Sequence, residues 1–163
     1  MKNDYEIRAQ KFIRQIFPYL DGLTDHDDRW YAVYAFNLDH HRKVSYSHGM
    51  SRYALITSDY VVKVDYKETQ FGCCEDEIDL YTEAEMDGFD YLFAKITRYT
   101  YQGVNFYIMP RIYGIERKEY DADWYMSEEE KDWCYNHDLC DLHNENYGWK
   151  NGHVVIFDYA ARW

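Results

Sequence analysis

Near the end of the chain stands Asp141-Leu142-His143-Asn144-Glu145-Asn146, followed by Val154-Val155-Ile156-Phe157-Asp158-Tyr159-Ala160. An aspartate and an asparagine lie five positions apart in a polar loop, and a second aspartate ends an apolar strand-like run twelve positions later. Upstream, Lys63 interrupts the apolar run Tyr60-Val61-Val62-Lys63-Val64, and an acidic segment, Glu75-Asp76-Glu77-Ile78-Asp79, follows it. Phosphoryl transfer asks for these residue types: a cation on the phosphates, carboxylate and amide oxygens for Mg²⁺, and a carboxylate beside the attacking hydroxyl. An ammonium in an apolar strand needs an anion if it points inward, and faces water if it does not. Glu77 is the first choice for that anion, with Glu83 and Glu85 as rivals; each acid taken alone reads as a solvated face.

Stepping out from these residues, the chain provides elements to carry them. Residues 5–20 place Ile7, Ile13, Ile16, Phe17 and Leu20 at helical spacing, with Asp21-Gly22 as a stop, and packing is the expected role of this helix. Residues 30–36, 52–56 and 60–64 read as strands of an antiparallel sheet, with Ser58-Asp59 turning between the last two. Residues 74–86 read as a helix with Ile78, Tyr81 and Met86 inward, closed by Gly88. Residues 92–101 and 105–112 read as strands joined at Gln102-Gly103, the second interrupted at Met109-Pro110. Ser127-Glu128-Glu129-Glu130 signals a helix start running toward Leu139. A last strand over residues 153–159 follows the turn dipeptide Asn151-Gly152.

In order and spacing, the Asp141 to Asn146 loop and the strand ending at Asp158 resemble the catalytic loop and metal-binding motif of the protein-kinase superfamily, including its aminoglycoside-phosphotransferase-like branch. The resemblance covers about residues 45–160. It implies an α+β fold, with an antiparallel-sheet N-lobe of protein-kinase-like type over about 1–112 and an abbreviated helical C-lobe over about 113–163, together one domain. It also implies roles: Asp141 as catalytic base, Asn146 and Asp158 as metal ligands, Lys63 on the nucleotide phosphates with Glu77 orienting it, Met109 near the nucleotide hinge, and Gly49 in the lid. The implied cofactors are ATP and Mg²⁺. Departures are visible too. Asp158-Tyr159-Ala160 replaces the usual Asp-Phe-Gly, Leu139-Cys140 stands where His-Arg is usual, the lid stretch has Gly49 alone, and no activation segment follows Ala160 before Trp163.

The chain has 163 residues, 47% apolar and 20% aromatic, enough for one sizeable core. Its net charge of -12 argues against direct nucleic-acid binding and against anionic membrane surfaces. A nucleotide is still compatible, because Mg²⁺ bridges carboxylates to phosphates. The acids cluster: residues 70–90 carry eight with no Lys or Arg, and residues 121–145 carry nine against Lys131 alone. Such faces keep a protein soluble, and they can also dock a basic partner. That yields a second expectation, a noncatalytic acidic pseudokinase-like protein that inhibits a basic, nucleic-acid-binding partner, suited to a compact genome such as a phage's and then acting in host cytoplasm. The four cysteines form no framework, and no leader or long apolar run appears, so a reducing cytoplasm is expected. Cys134, His137, Cys140 and His143 repeat in threes, but that spacing drifts about 60° per step round a helix and does not converge on a tetrahedral zinc. His40, His41 and His48 accompany no nucleophile motif.

Overall fold

The computed structural model describes residues 3–67, 73–114, 119–139 and 141–159. The chain divides into two units, Met1–Thr69 with Thr97–Arg111, and Gln70–Ile96 with Ile112–Trp163. Residues 70–96, which the sequence division keeps with 1–112, group with the second unit.

In the first unit, two helices cover a sheet. Helix α1 (Asp4–Leu20) buries Ala9, Phe12, Ile13, Ile16 and Leu20, a three-and-four spacing that makes one apolar stripe. Its first turn is closed by the Asn3 N–H donating to Glu6 Oε2 at 3.1 Å. Ile7, expected inward, is 56% exposed, and Phe12 takes its place in the core. Helix α2 (His26–His40) corrects the strand expected at residues 30–36. The aromatic and β-branched run Trp30-Tyr31-Ala32-Val33-Tyr34 has strand composition. What decides is the start: Asp25 accepts the N–H groups of Asp27 and Asp28 at 2.8 and 3.3 Å, capping a helix whose buried residues, Arg29, Val33 and Phe36, recur at four and three. Trp30, Tyr31, Tyr34 and Leu38 are left exposed.

The sheet has strands β1 (Ser45–His48), β2 (Arg52–Ile56), β3 (Tyr60–Asp65), β4 (Thr97–Tyr101) and β5 (Val104–Pro110), in the order β1-β2-β3-β5-β4 and antiparallel throughout. The stretch from residue 92 becomes a strand only at Thr97, because Asp90–Leu92 form a 3-10 turn first. The β4–β5 hairpin turns at Gln102-Gly103, where φ is 52° and 77°, a pair of left-handed residues that matches strand twist. Alternation along β3 separates two faces. Tyr60, Val62 and Val64 join Tyr53, Leu55, Phe106 and Ile108 in the core with α1 and α2. Val61 and Lys63 point the other way, beside their cross-strand partners Ile56, Met109, Ala54 and Tyr107. A five-stranded antiparallel sheet accompanied by helices is the α+β class expected.

In the second unit, α3 (Cys74–Asp87) buries Cys74, Glu77, Leu80 and Ala84. Of the residues expected inward, Ile78 and Tyr81 are half-buried, and Met86 is corrected, at 82% exposed. Buried Glu77 replaces an apolar contact, which apolar periodicity cannot show. Helix α4 (Glu128–Asn136) begins as expected, with Ser127 N donating to Glu130 Oε2 at 2.6 Å and Glu130 N to Ser127 Oγ at 3.2 Å. Strands β6 (Tyr147–Lys150) and β7 (His153–Ile156) form a hairpin turned at Asn151-Gly152, φ 53° and 80°. Strand β6 was not foreseen. Gly148 within it passes so close to another segment that a Cβ there would stand 2.5 Å from the Tyr113 carbonyl oxygen. Ile156 bridges to Phe93 in parallel, and Ala94 N donates to Ile156 O at 2.8 Å, anchoring the hairpin to the chain after α3. Among the described residues no helix is long and apolar enough to cross a membrane.

Candidate functional site

The first unit places Lys63 in the middle of β3, 6% exposed, on the face opposite the helical layer. A strand lysine facing water is therefore not what forms; a buried ammonium must be met by compensating oxygen. Met109, 1% exposed, lies on the same face two positions along, opposite Val61. Gly49 opens the connection from β1 to β2, and its N–H donates to Arg52 O at 2.8 Å. A Cβ at Gly49 would meet only Arg52 O, at 3.9 Å, so the fold does not require glycine there. The connection contains no other glycine.

The second unit carries the acids. Glu77 sits in the first turn of α3 with no solvent exposure, and its Oε1 accepts the Tyr159 N–H at 3.0 Å. Glu83 is half-buried, with Oε2 3.9 Å from His137 Nε2, and Glu85 is exposed. Of the three rivals, Glu77 is the inward one. A buried carboxylate is costly unless hydrogen-bonded, and the Tyr159 backbone supplies one such bond.

Asp141 to Asn146 forms a loop held by its own polar groups. The Asn146 side-chain nitrogen donates to the Asp141 carbonyl at 3.1 Å, and the Asn146 N–H donates to His143 O at 3.0 Å. The loop is tied down at Leu142, whose carbonyl accepts the Ala122 N–H at 2.7 Å. Asp141 Oδ1 lies 2.8 Å from His143 Nε2. The Asn146 amide nitrogen is 3.5 Å from the same Nε2, at the edge of bonding range. Two donors cannot serve each other, so the shorter contact decides: Nε2 carries a proton and donates it to Asp141.

Next, the hairpin brings the loop to Asp158. Tyr147 pairs with Ile156, and one step further out Phe157 N donates to Asn146 O at 2.9 Å. Asn146 thus stands across from Phe157, the neighbour of half-buried Asp158. On the other side of Asp158, Tyr159 is held in place: its ring packs on Phe93 with centroids 5.0 Å apart, and its hydroxyl donates to Ala94 O at 2.7 Å. Within one unit, hydrogen bonds thus join Asp141 to Asn146, Asn146 to Phe157 and Glu77 to Tyr159, the last two ending on the chain neighbours of Asp158.

Two residues that hold the candidate site are not legible as such in the sequence. His143 was visible only as part of a motif, although its place two residues after Asp141 was the available signal. Tyr159, seen only as a departure from Asp-Phe-Gly, anchors Asp158 with its backbone and its hydroxyl. In the cysteine-histidine run, Cys140 lies outside the described residues. Burial, with Glu130 and Asp123 nearby, pushes the Cys134 thiol up to about 12. His137 stacks on Trp133 at 3.9 Å with Nδ1 2.7 Å from Trp133 O, while His143 turns to Asp141. No cluster of three or more His, Cys, Asp or Glu placed to hold a metal occurs among the described residues.

No family model matches the chain, and no curated protein matches it. Solved structures similar to it include the aminoglycoside phosphotransferase APH(2")-IIa in a ternary complex with streptomycin and ATP, at 16% identity over 85% of this chain and 73% of that one, TM-score 0.45. Another is the Lpg2603 kinase of Legionella pneumophila bound to IP6, at 14% identity over 76% of this chain and half of that one, TM-score 0.46. Both are of protein-kinase-like fold.

Proposed function

We propose that this protein is an ATP- and Mg²⁺-dependent phosphotransferase of protein-kinase-like type, acting on a hydroxyl of a protein or another substrate. The observation that carries the reading is the hydrogen-bonded set Asp141, His143, Asn146 and the residue pair Phe157-Asp158, at the open end of the β6–β7 hairpin. In this reading Asp141 accepts the proton of the attacking hydroxyl. His143 holds Oδ1, so Oδ2 is the oxygen that faces the hydroxyl. Lys63 neutralises phosphate charge, and Glu77 orients it.

Hard oxygen donors of the kind magnesium takes support the metal part of this reading. The Asn146 amide nitrogen is spent on Asp141, which leaves the amide oxygen as the end for a cation, and the Asp158 carboxylate adds a second hard oxygen donor. Bound there with ATP, Mg²⁺ would draw charge from the phosphate oxygens as the bond to the leaving group lengthens. The chain's own contribution is to hold those oxygens and the Asp141 base in fixed rotamers, which preorganises the site.

Calorimetric titration of ATP, with and without Mg²⁺, tests this on wild type and Asp158→Ala. Binding that requires Mg²⁺ and disappears in the variant is expected. Failure of wild type to bind ATP would overturn it. The rival, an acidic pseudokinase-like binder of a basic partner, is favoured by one observation: the β1–β2 connection has one glycine and no conformational need even for that one. For the rival, reversing Glu128, Glu129 and Glu130 to lysine abolishes partner capture while Asp158→Ala leaves it intact.

A further inference from the structure

Helix α2 carries a second apolar face, opposite the one that joins the core. At about 100° per residue, Tyr31, Tyr34 and Leu38 fall on the side away from buried Arg29, Val33 and Phe36, with Trp30 on their flank. All four are more than half exposed. Their rings are already ordered against one another: Trp30 stacks on Tyr34 with centroids 5.8 Å apart and meets Tyr31 edge-on at 5.1 Å. Rings held in place before contact lose little freedom on binding, and an apolar patch of this size, roughly 400–500 Å², marks an interaction surface.

The charges around this face identify what covers it. Its N-terminal end carries Asp27 and Asp28, both exposed, and neither carboxylate has a partner among the described residues. Its C-terminal end runs into His41-Arg42-Lys43, all exposed and held at the helix end by the Arg42 N–H donating to Asn37 O at 3.0 Å. Arg42 also bonds the Tyr60 phenol, while Lys43 has no partner among the described residues. Acid at one end and base at the other is the pattern of a surface that fits itself when turned end for end. A two-fold axis between Tyr34 and Ala35 sets Tyr31 of each copy against Leu38 of the other, and the large Tyr34 against the small Ala35. The same turn brings Asp27 and Asp28 opposite Arg42 and His41, with the flexible Lys43 in reach. Net charge does not oppose the contact: the first unit has twelve Lys and Arg against ten Asp and Glu, so the acidity of the chain resides in the second.

We propose that α2 is the contact of an isologous homodimer, in which two copies of this chain pair their α2 helices antiparallel. The contact is built from first-unit residues alone and does not depend on phosphotransfer. Its area, roughly 1,000 Å² over both copies once the polar flanks are included, stands at the lower limit for a specific interface, so the dimer forms reversibly at roughly micromolar concentration.

Sedimentation velocity on the full chain should show the mass rising from that of one copy toward that of two between about 1 and about 100 µM. Tyr31→Asp, at an exposed position, should weaken association by about tenfold or more while retaining the circular dichroism of wild type. Charge exchange separates this pairing from any other. The double variant Asp27→Lys with Asp28→Lys, and the double variant Arg42→Glu with Lys43→Glu, should each stay monomeric alone, because like charges then meet at both ends of the contact. A one-to-one mixture of the two restores opposite charges at both ends and should dimerise as wild type does. Should loss of the Arg42 bond to Tyr60 unfold the second variant, Lys43→Glu alone takes its place. A wild-type chain that stays monomeric throughout the range, association unchanged by Tyr31→Asp, or a mixture no more dimeric than its folded components would overturn the proposal.

Discussion

In the proposed phosphotransferase, the 2.8 Å contact between His143 Nε2 and Asp141 Oδ1 would make the imidazole a positioning group rather than a proton acceptor. Removing each partner should therefore have unequal effects. Asp141→Asn is expected to lower kcat by roughly 10²–10⁴, the usual contribution of a positioned base, with KM for ATP unchanged. His143→Ala should lower kcat by only about tenfold, since the base survives with a looser rotamer. Steady-state phosphotransfer rates on the two purified variants check both, and equal losses would show that His143 does more than orient. A second residue-scale expectation concerns Cys134. A buried thiol raised to about 12 offers almost no thiolate at neutral pH. Peptide mapping after iodoacetamide treatment should find Cys134 unmodified in the folded protein and alkylated in urea. In the sequence, Asp141, Asn146 and Asp158 were legible because a loop and a strand end fix their spacing. His143 was not, since its role depends on a side-chain rotamer, and neither was the choice of Glu77 over Glu83 and Glu85, since three acids on one helix differ only in the direction each faces.

At the scale of elements, local chemistry at the ends of segments proved more informative than their apolar content. The helix after Ser127 and the two hairpin turns at Gln102-Gly103 and Asn151-Gly152 were readable because caps and left-handed turns demand particular residues. Helix α2 was misread because its exposed side carries Trp30, Tyr31 and Tyr34, rings that resemble a buried strand until Asp25 is recognised as a cap. Strands β1 and β6 are not legible in the sequence because Ser45–His48 is short and polar and Tyr147–Lys150 is four residues with a glycine inside, each held by pairing with its partner rather than by its own pattern. Two substitutions measure these devices by urea unfolding. Ser127→Ala removes the acceptor for Glu130 N and should cost about 1 kcal/mol. Gly148→Ala forces a methyl against Tyr113 O and the Ile112 side chain, and should cost about 1–3 kcal/mol, with the hairpin that carries Asn146 and Asp158 displaced.

For the molecule as a whole, an acidic chain of net charge -12 holds Tyr53 and Tyr147 as neutral phenols inside. Burial is the first cause that lifts Tyr53 and Tyr147 from 10.0 to about 12. The unfolded chain therefore releases these protons first as pH rises. Stability from them is fully present below about pH 10 and is lost between there and about pH 12. The urea midpoint should hold steady from about pH 8 to pH 9.5 and fall by about pH 11, with phenolate absorbance rising in step with unfolding. The order of the sheet has a kinetic consequence. Strand β3 lies at the centre, flanked by β2 and β5, yet residues 66–103 separate it from β5. The β1-β2-β3 meander and the β4–β5 hairpin are each local and quick to form, whereas joining them means closing a long loop, which makes their meeting the slow step. During synthesis, the side of β3 that β5 will occupy stays an unpaired edge until residue 110 has left the ribosome. For that interval the nascent chain presents the edge of a strand rich in valine as a template, and a chaperone arriving first competes there with a second nascent copy.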